Sequence, residues 1–289
     1  MTSVRAEVRP SVSVLMVAYD AEATIGTALA SLVSQSFEDW ECVVVDDGSQ
    51  DATAELVARW GDRRFRLFRH AENQGRGAAR QTGLLECRGE ALTFLDADDW
   101  LYPSSLGDRW LQFRDNRGAV VSDPMAICGR SGELHGVLNG KVTSAGGRGL
   151  LFASTMLPTE LARRAGFDRR LHRGEDVDML ARALAGREVH MGTNASYAYV
   201  IDSLYASSRV VGHAIEFRRG LRLRESSPLV ATRVMAESAA KWVLGRMELR
   251  LGVKRGPRGM REPSEAEVAR HRHAYASIGH ALRQPVRQT

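Results

Sequence analysis

The sequence predicts an α/β fold, a mostly parallel sheet flanked by helices, followed by a helical C-terminal extension. Three observations carry this. Short Val-rich apolar runs alternate with segments of helical period through the first hundred residues. The runs are apolar at consecutive positions, as strands covered on both faces are. After Asp99 the regular alternation gives way to a hairpin pattern and then to helical periodicity.

Each element can be justified in turn. Residues 11–18 (SVSVLMVA) read as a buried strand, and 22–35 (EATIGTALASLVSQ) as the helix after it. A second strand, 41–49 (ECVVVDDGS), ends abruptly in acid, and Asp51 is placed to cap a helix over 51–60. Residues 64–70 (RFRLFRH) form a third strand, 75–87 (GRGAARQTGLLEC) a third helix and 91–99 (ALTFLDADD) a fourth strand. Beyond Asp99, Pro103 opens a helix to Phe113, GAVVSD is a strand, and residues 124–140 suit a hairpin with Gly-rich turns. Residues 159–166 (TELARRAG) and 175–186 (EDVDMLARALAG) read as helices, as does most of 203–251, broken at Pro228. The expected organisation is one α/β unit over 1–202, with halves at about 11–100 and 101–202. A helical extension over 203–253 and a basic, flexible tail over 254–289 complete it.

Composition narrows the class. The 289 residues are 44% hydrophobic and 26% charged, ordinary for a soluble globular chain. No apolar run approaches the roughly 18–20 residues that span a bilayer, and MTSVRAEVRPS lacks a signal-peptide core. Three cysteines, Cys42, Cys87 and Cys128, are widely spaced with no CxxC, which suits reduced thiols in a cytoplasmic protein and argues against zinc. From Lys254 onward eight Lys/Arg face three Glu, so this segment accounts for the whole formal charge of +5. Such a tail suits an anionic partner. Peripheral contact with the inner membrane surface is favoured over nucleic acid, and a solvated tail is the plainer reading.

In open parallel sheets, ligands sit beyond the carboxyl ends of the strands. Here those ends carry Ala18-Tyr19-Asp20, then Asp46-Asp47, then Asp96-Ala97-Asp98-Asp99, with the third strand leading into ENQGRGAARQTG. Clustered carboxylates suit Mg²⁺ or Mn²⁺, which keep waters and bridge to substrate phosphates. An acid-lined rim repels a diphosphate alone and attracts one with a divalent ion. GRGAAR does not follow the first strand of a βαβ unit, which excludes a dinucleotide fingerprint.

Four stretches, VSVLMVAYDAEATIGTALASLVSQSFEDWECVVVDDGSQDAT, NQGRGAARQTG, FLDADDW and GFDRRLHRGEDVDMLAR, together resemble glycosyltransferase family 2, the inverting enzymes of GT-A (Rossmann-like) fold. The likeness covers about residues 11–199. It implies a nucleotide-diphospho-sugar donor, with UDP or dTDP favoured. The acceptor would be a carbohydrate, lipid-linked or small-molecule hydroxyl. By the same resemblance Tyr19 packs on the base, with Val17 and Ala18 lending backbone contacts. Asp46 and Asp47 match base-reading carboxylates, Asp47 first; a single uracil or thymine N3–H suits a carboxylate acceptor. Arg80 matches an arginine near the base, and Asn73 and Gly75 belong to the loop before it. Asp96, Ala97 and Asp98 form the DxD element for ribose and metal, with Asp99 as the alternative ligand. Glu175-Asp176 matches the family's ED pair, with Asp176 as general base. Glu175 and Asp178, three apart, share a helix face that Asp176 leaves. A helix N-terminus that favours acids accounts for the same three residues without chemistry.

Departures from the pattern cluster on the acceptor side. Arg169 and Arg170 follow Asp168 where the family commonly has Glu, Gln81 replaces Asn, and the basic residue usual after Tyr199 is delayed to Arg209. These suggest an unusual acceptor or diphosphate lid. His190 and His213 read as structural. Residues 229–251 form a basic amphipathic pattern suited to packing, homodimerisation or an anionic membrane surface. Two other functions compete. A catalytically silent nucleotide-sugar-binding protein is opposed by the intact acids. A sugar-phosphate nucleotidyltransferase would need a glycine-rich, basic opening loop, and MVAYDAEATIG is not one.

Overall fold

The computed structural model describes residues 9–140, 151–171, 174–201 and 260–283. The helices expected over 203–251, and with them the dimer and membrane readings, lie outside the described residues.

The first half follows the sequence closely. Strands β1 (Val12–Ala18), β2 (Trp40–Asp46), β3 (Phe65–Arg69) and β4 (Ala91–Phe94) are joined by helices α1 (Ile25–Val33), α2 (Thr53–Arg59) and α3 (Arg76–Glu86). β1 lies between β2 and β4, and β3 joins beyond β2, all parallel. Alternate residues of β1 face opposite layers. Val12, Val14 and Met16 pack with Ile25, Leu29 and Leu32 of α1, while Leu15 packs with Val45, Leu84 and Phe94 on the α3 side. Burial on both faces explains why these strands read as continuous apolar runs.

The second half is more irregular. β5 (Trp100–Leu101) leads to α4 (Ser105–Asp115), β6 (Val120–Ser122) and a hairpin of β7 (Met125–Cys128) and β8 (Leu134–Leu138). A 3₁₀ turn (Phe152–Ser154) precedes β9 (Thr155–Pro158), α5 (Thr159–Ala165) and α6 (Glu175–Ala183). β10 (Val189–Met191) and β11 (Tyr197–Val200) follow, then β12 (Met260–Arg261) and α7 (Glu265–Arg283). The main sheet runs β10-β6-β9-β4-β1-β2-β3, with β9 antiparallel to both neighbours. A second sheet, β12-β8-β7-β11-β5, sits beside it.

Residues 265–283 correct the reading of a flexible tail. α7 buries His271, Ala274 and Ile278 in a cluster with Trp100 and Tyr102. The ring nitrogen Nδ1 of His271 lies 2.6 Å from the Tyr102 hydroxyl, and burial lowers the His271 pKa. A capping box starts the helix: the Ser264 N–H donates to Glu267 Oε2 (2.9 Å), and the Glu267 N–H donates to Ser264 Oγ (3.3 Å).

Candidate active site at the strand ends

The loops leaving β1 and β2 are zipped together by short polar side chains. The Asp20 N–H donates to Ser49 Oγ (2.9 Å), and the Gln50 N–H donates back to Asp20 Oδ1 (2.9 Å). Asp51 accepts from the Glu22 and Thr53 N–H groups, holding the entry to α2 rather than standing at its cap position. This frame leaves Tyr19 48% exposed at the rim, while Ala18 is buried and lends its carbonyl to the Asp47 N–H.

Both β2 acids are already engaged. Asp46 is fully buried; its Oδ1 accepts from the Ser49 N–H and hydroxyl, and Arg69 Nε lies 3.1 Å from Oδ2. Asp47 Oδ1 accepts from the Gln74 N–H (3.0 Å) and lies 2.7 Å from His70 Nδ1, while Oδ2 accepts from the Gly75 N–H (2.9 Å). Asp47 therefore organises the loop that starts α3, with Asn73 Oδ1 also accepting from Gly75. Gly48 makes this approach feasible: at φ +78° its missing Cβ would fall 2.5 Å from the Glu72 carbonyl carbon. Neither oxygen of Asp47, the carboxylate expected to read a base, stands open.

The acids after β4 divide into two groups. Asp99 turns inward: Oδ2 accepts from the Tyr197 hydroxyl (2.6 Å) and Oδ1 from the Val200 N–H (2.8 Å). Burial, then the charges of Asp98 and Asp96, push its pKa well above the usual carboxylate range. The Tyr197 oxygen in turn accepts the Asp96 N–H (3.1 Å). Asp99, expected as an alternative metal ligand, instead braces the turn against β11. Asp98 stands exposed, and Asp96 keeps 35% of its side chain accessible. Enclosure by surrounding protein, then the Asp96 charge, raises the Asp98 pKa. Ala97 between them is buried.

Arg80 occupies an unexpected place. It is 4% exposed, with Nη1 donating to Glu175 Oε1 (2.5 Å) and Nη2 to Asp96 Oδ1 (3.0 Å). Asp176 Oδ2 is 3.9 Å from Nη1, and the guanidinium lies over the Phe152 ring at 4.5 Å. Gly77, one turn earlier, lets the backbone at Asp168 and Leu171 lie against α3: a Cβ there would fall 2.5 Å from the Asp168 carbonyl oxygen. At the start of α6, Glu175 and Asp178 are buried, Asp178 pairs with Arg182 (2.7 Å), and Asp176 keeps 30% side-chain exposure. Burial raises the Glu175 pKa; Arg80 opposes that shift and Asp176 adds to it. The structure thus brings Asp96, Glu175 and Asp176 around one guanidinium, leaves Asp98 exposed beside Asp96, and commits Asp46, Asp47 and Asp99 to the scaffold. Tyr197 and Phe152 were missed; the alternation of Tyr197 and Tyr199 in YAYV was the available signal for the first. Arg169 lines a separate open cleft of about 350 Å³ with Gln81, Gly166, Phe167, Asp168 and Arg182.

Among the described residues no three or more His, Cys, Asp and Glu side chains converge to hold a metal by themselves. The exposed Asp98 and the accessible oxygen of Asp96 fit a divalent ion that draws its other ligands from water and substrate phosphate, the usual Mg²⁺ arrangement.

A sheet whose parallel strands carry acids at their carboxyl rim, with a second acidic pair opening α6, has the architecture of the GT-A fold. The model of Glycosyl transferase family 2 matches residues 13–172, and the chain belongs to that family. It is 37% identical over 91 residues to the Escherichia coli UDP-Glc:alpha-D-GlcNAc-diphosphoundecaprenol beta-1,3-glucosyltransferase WfgD, which covers 31% of this chain and 36% of that one. The chain spans less than two thirds of the length of curated relatives that it matches. S. aureus TarS superposes with a TM-score of 0.58 at 20% identity, over 96% of this chain and 82% of that one. The mannosyltransferase PcManGT from Pyrobaculum calidifontis, solved with GDP-Man and Mn²⁺, gives 0.58 at 18% identity over 97% and 88%. These two likenesses establish the GT-A fold. No helix among the described residues is long and apolar enough to cross a membrane.

Proposed function

We propose that the chain transfers a sugar from a nucleotide-diphospho-sugar to an acceptor hydroxyl by a single, inverting, metal-dependent displacement. The observation that carries this reading is that Arg80 holds Asp96 in one frame with Asp176, with the exposed Asp98 two residues from Asp96 at the same strand end. Asp98 and Asp96 would hold Mn²⁺ or Mg²⁺, which would supply positive charge to offset that of a departing nucleoside diphosphate. Asp176 Oδ1 accepts its neighbouring Val177 N–H (2.8 Å), which fixes the carboxylate. Its Oδ2 takes the proton of the acceptor hydroxyl as that oxygen attacks the anomeric carbon. Glu175, buried on Arg80, orients rather than reacts. Tyr19 offers a ring to the base.

The donor base is left open by the geometry, since Asp46 and Asp47 are both committed elsewhere. A lipid-linked acceptor is supported by the likeness to WfgD, whose name specifies one. Metal use is supported by the Mn²⁺ complex of PcManGT. Calorimetric titration of UDP, dTDP and GDP, with and without Mn²⁺, into wild type and Asp98→Ala tests the proposal. Mn²⁺-dependent binding lost in Asp98→Ala is expected. Absence of binding by every nucleotide to the folded wild-type protein sinks it.

A further inference from the structure

The geometry points to Arg80 as a positioning residue that locks the donor-side Asp96 and the acceptor-side Glu175-Asp176 pair into one frame, without reading the nucleotide base. This rests on the proposed transferase reading and departs from the base-contact role that the family resemblance implies for Arg80.

Both terminal nitrogens of Arg80 are spent on carboxylates from different elements: Asp96 after β4 at 3.0 Å, and Glu175 on α6 at 2.5 Å, 95 residues away in sequence. Phe152 closes the guanidinium's flat face at 4.5 Å, and only 4% of the residue is accessible. To meet a neutral base, the side chain would surrender charge-assisted bonds for a weaker one. A planar fork can serve two carboxylates set at a fixed angle, which a lysine ammonium on a flexible stem cannot. The same group reaches within 3.9 Å of Asp176 Oδ2, so the separation between the metal-side acid and the base is set through one side chain. Displacement of about 1 Å at such a site costs on the order of 100-fold in rate.

Arg80→Lys and Arg80→Gln test this, with thermal melting to establish folding. The assay is hydrolysis of UDP-glucose and GDP-mannose in Mn²⁺, beside calorimetric binding of UDP and GDP. Arg80→Lys should bind nucleotide within about threefold of wild type while kcat falls about 100-fold and donor KM stays nearly constant. Arg80→Gln, which removes the cation altogether, should lose at least as much kcat with donor KM again nearly constant. Glu175→Gln should reproduce the kcat loss of Arg80→Lys, and the double variant should be no worse than either. Nucleotide affinity lowered tenfold or more with kcat retained would make Arg80 a nucleotide contact and overturn the inference; so would additive losses in the double variant. Wild type that neither binds nor hydrolyses any donor defeats the transferase reading itself, and this inference with it.

Discussion

β2 runs into Asp46-Asp47 and β4 into Asp96-Ala97-Asp98, two acidic strand ends one strand apart on the same rim. The fold spends the first pair and spares the second. Asp46 and Asp47 are at most 2% exposed and accept from backbone N–H groups of Ser49, Gln74 and Gly75. Asp98 is exposed, and Asp96 gives one oxygen to Arg80 and keeps part of its surface in water. The difference lies in the turn that leaves each strand. After β2 the chain turns at Gly48 into loops whose unpaired N–H groups need acceptors. After β4 the Asp96 N–H goes to the Tyr197 hydroxyl oxygen and the Asp99 N–H to the Asp96 carbonyl, and the one acid drawn into the scaffold is Asp99, through Tyr197 and Val200. A carboxylate at a strand end is therefore a ligand candidate only where the scaffold has not already claimed it.

Asp98→Asn should break the comparison hardest on the functional side. Donor hydrolysis in Mn²⁺ should fall by about 10²–10³-fold, the usual cost of deleting one electrostatic contact to developing charge. Stability should stay within about 0.5 kcal/mol of wild type, as for an exposed substitution. A loss of stability without loss of activity would place Asp98 with the scaffold acids.

Asp47→Ala should do the reverse. Removing its carboxylate leaves the Gln74 N–H without an acceptor and strips one of two from Gly75, for a loss of about 2–3 kcal/mol in urea unfolding. Activity should fall only as far as α3, and with it Arg80, drifts. Unchanged stability with nucleotide binding abolished would restore Asp47 as a base reader.

How much of this was legible depends on the range of the contacts. β1, β2 and β4 were readable because burial on both faces makes each strand a continuous apolar run, and the motifs after them fell on the rim as expected. The roles of individual acids were not readable, because they depend on partners far along the chain: Asp99 on Tyr197, 98 residues on, and Arg80 on Glu175, 95 residues on. β9 was missed for a similar reason. Thr155–Pro158 is too short to show a period, and it is a strand because β4 and β6 flank it. α7 was hidden by its composition. Only His271, Ala274 and Ile278 are buried, a narrow stripe at i, i+3 and i+7 in an otherwise polar helix. Its capping box, Ser264 to Glu267, was the signal in the sequence that could have found it.

Glu267 sharpens the comparison at its small end, since it is an acid spent wholly on local structure and far in sequence from the rim. It accepts from the Ser264 N–H and from Arg261 Nη2 at 2.5 Å, and the Arg261 bonds hold its pKa at about 2. A depressed carboxylate pKa stabilises the fold above the unfolded value near 4.5 and loses that contribution as pH falls toward 2. Glu267→Gln should cost about 1 kcal/mol at pH 7, the scale of a lost helix cap. The gap from wild type should close between about pH 4.5 and 2, because wild-type Glu267 becomes protonated over that window. Nucleotide binding should not change. Urea unfolding of both proteins across pH 2–7 measures this, and a gap that persists unchanged at pH 2 would mean that the ionised carboxylate is not what holds the start of α7.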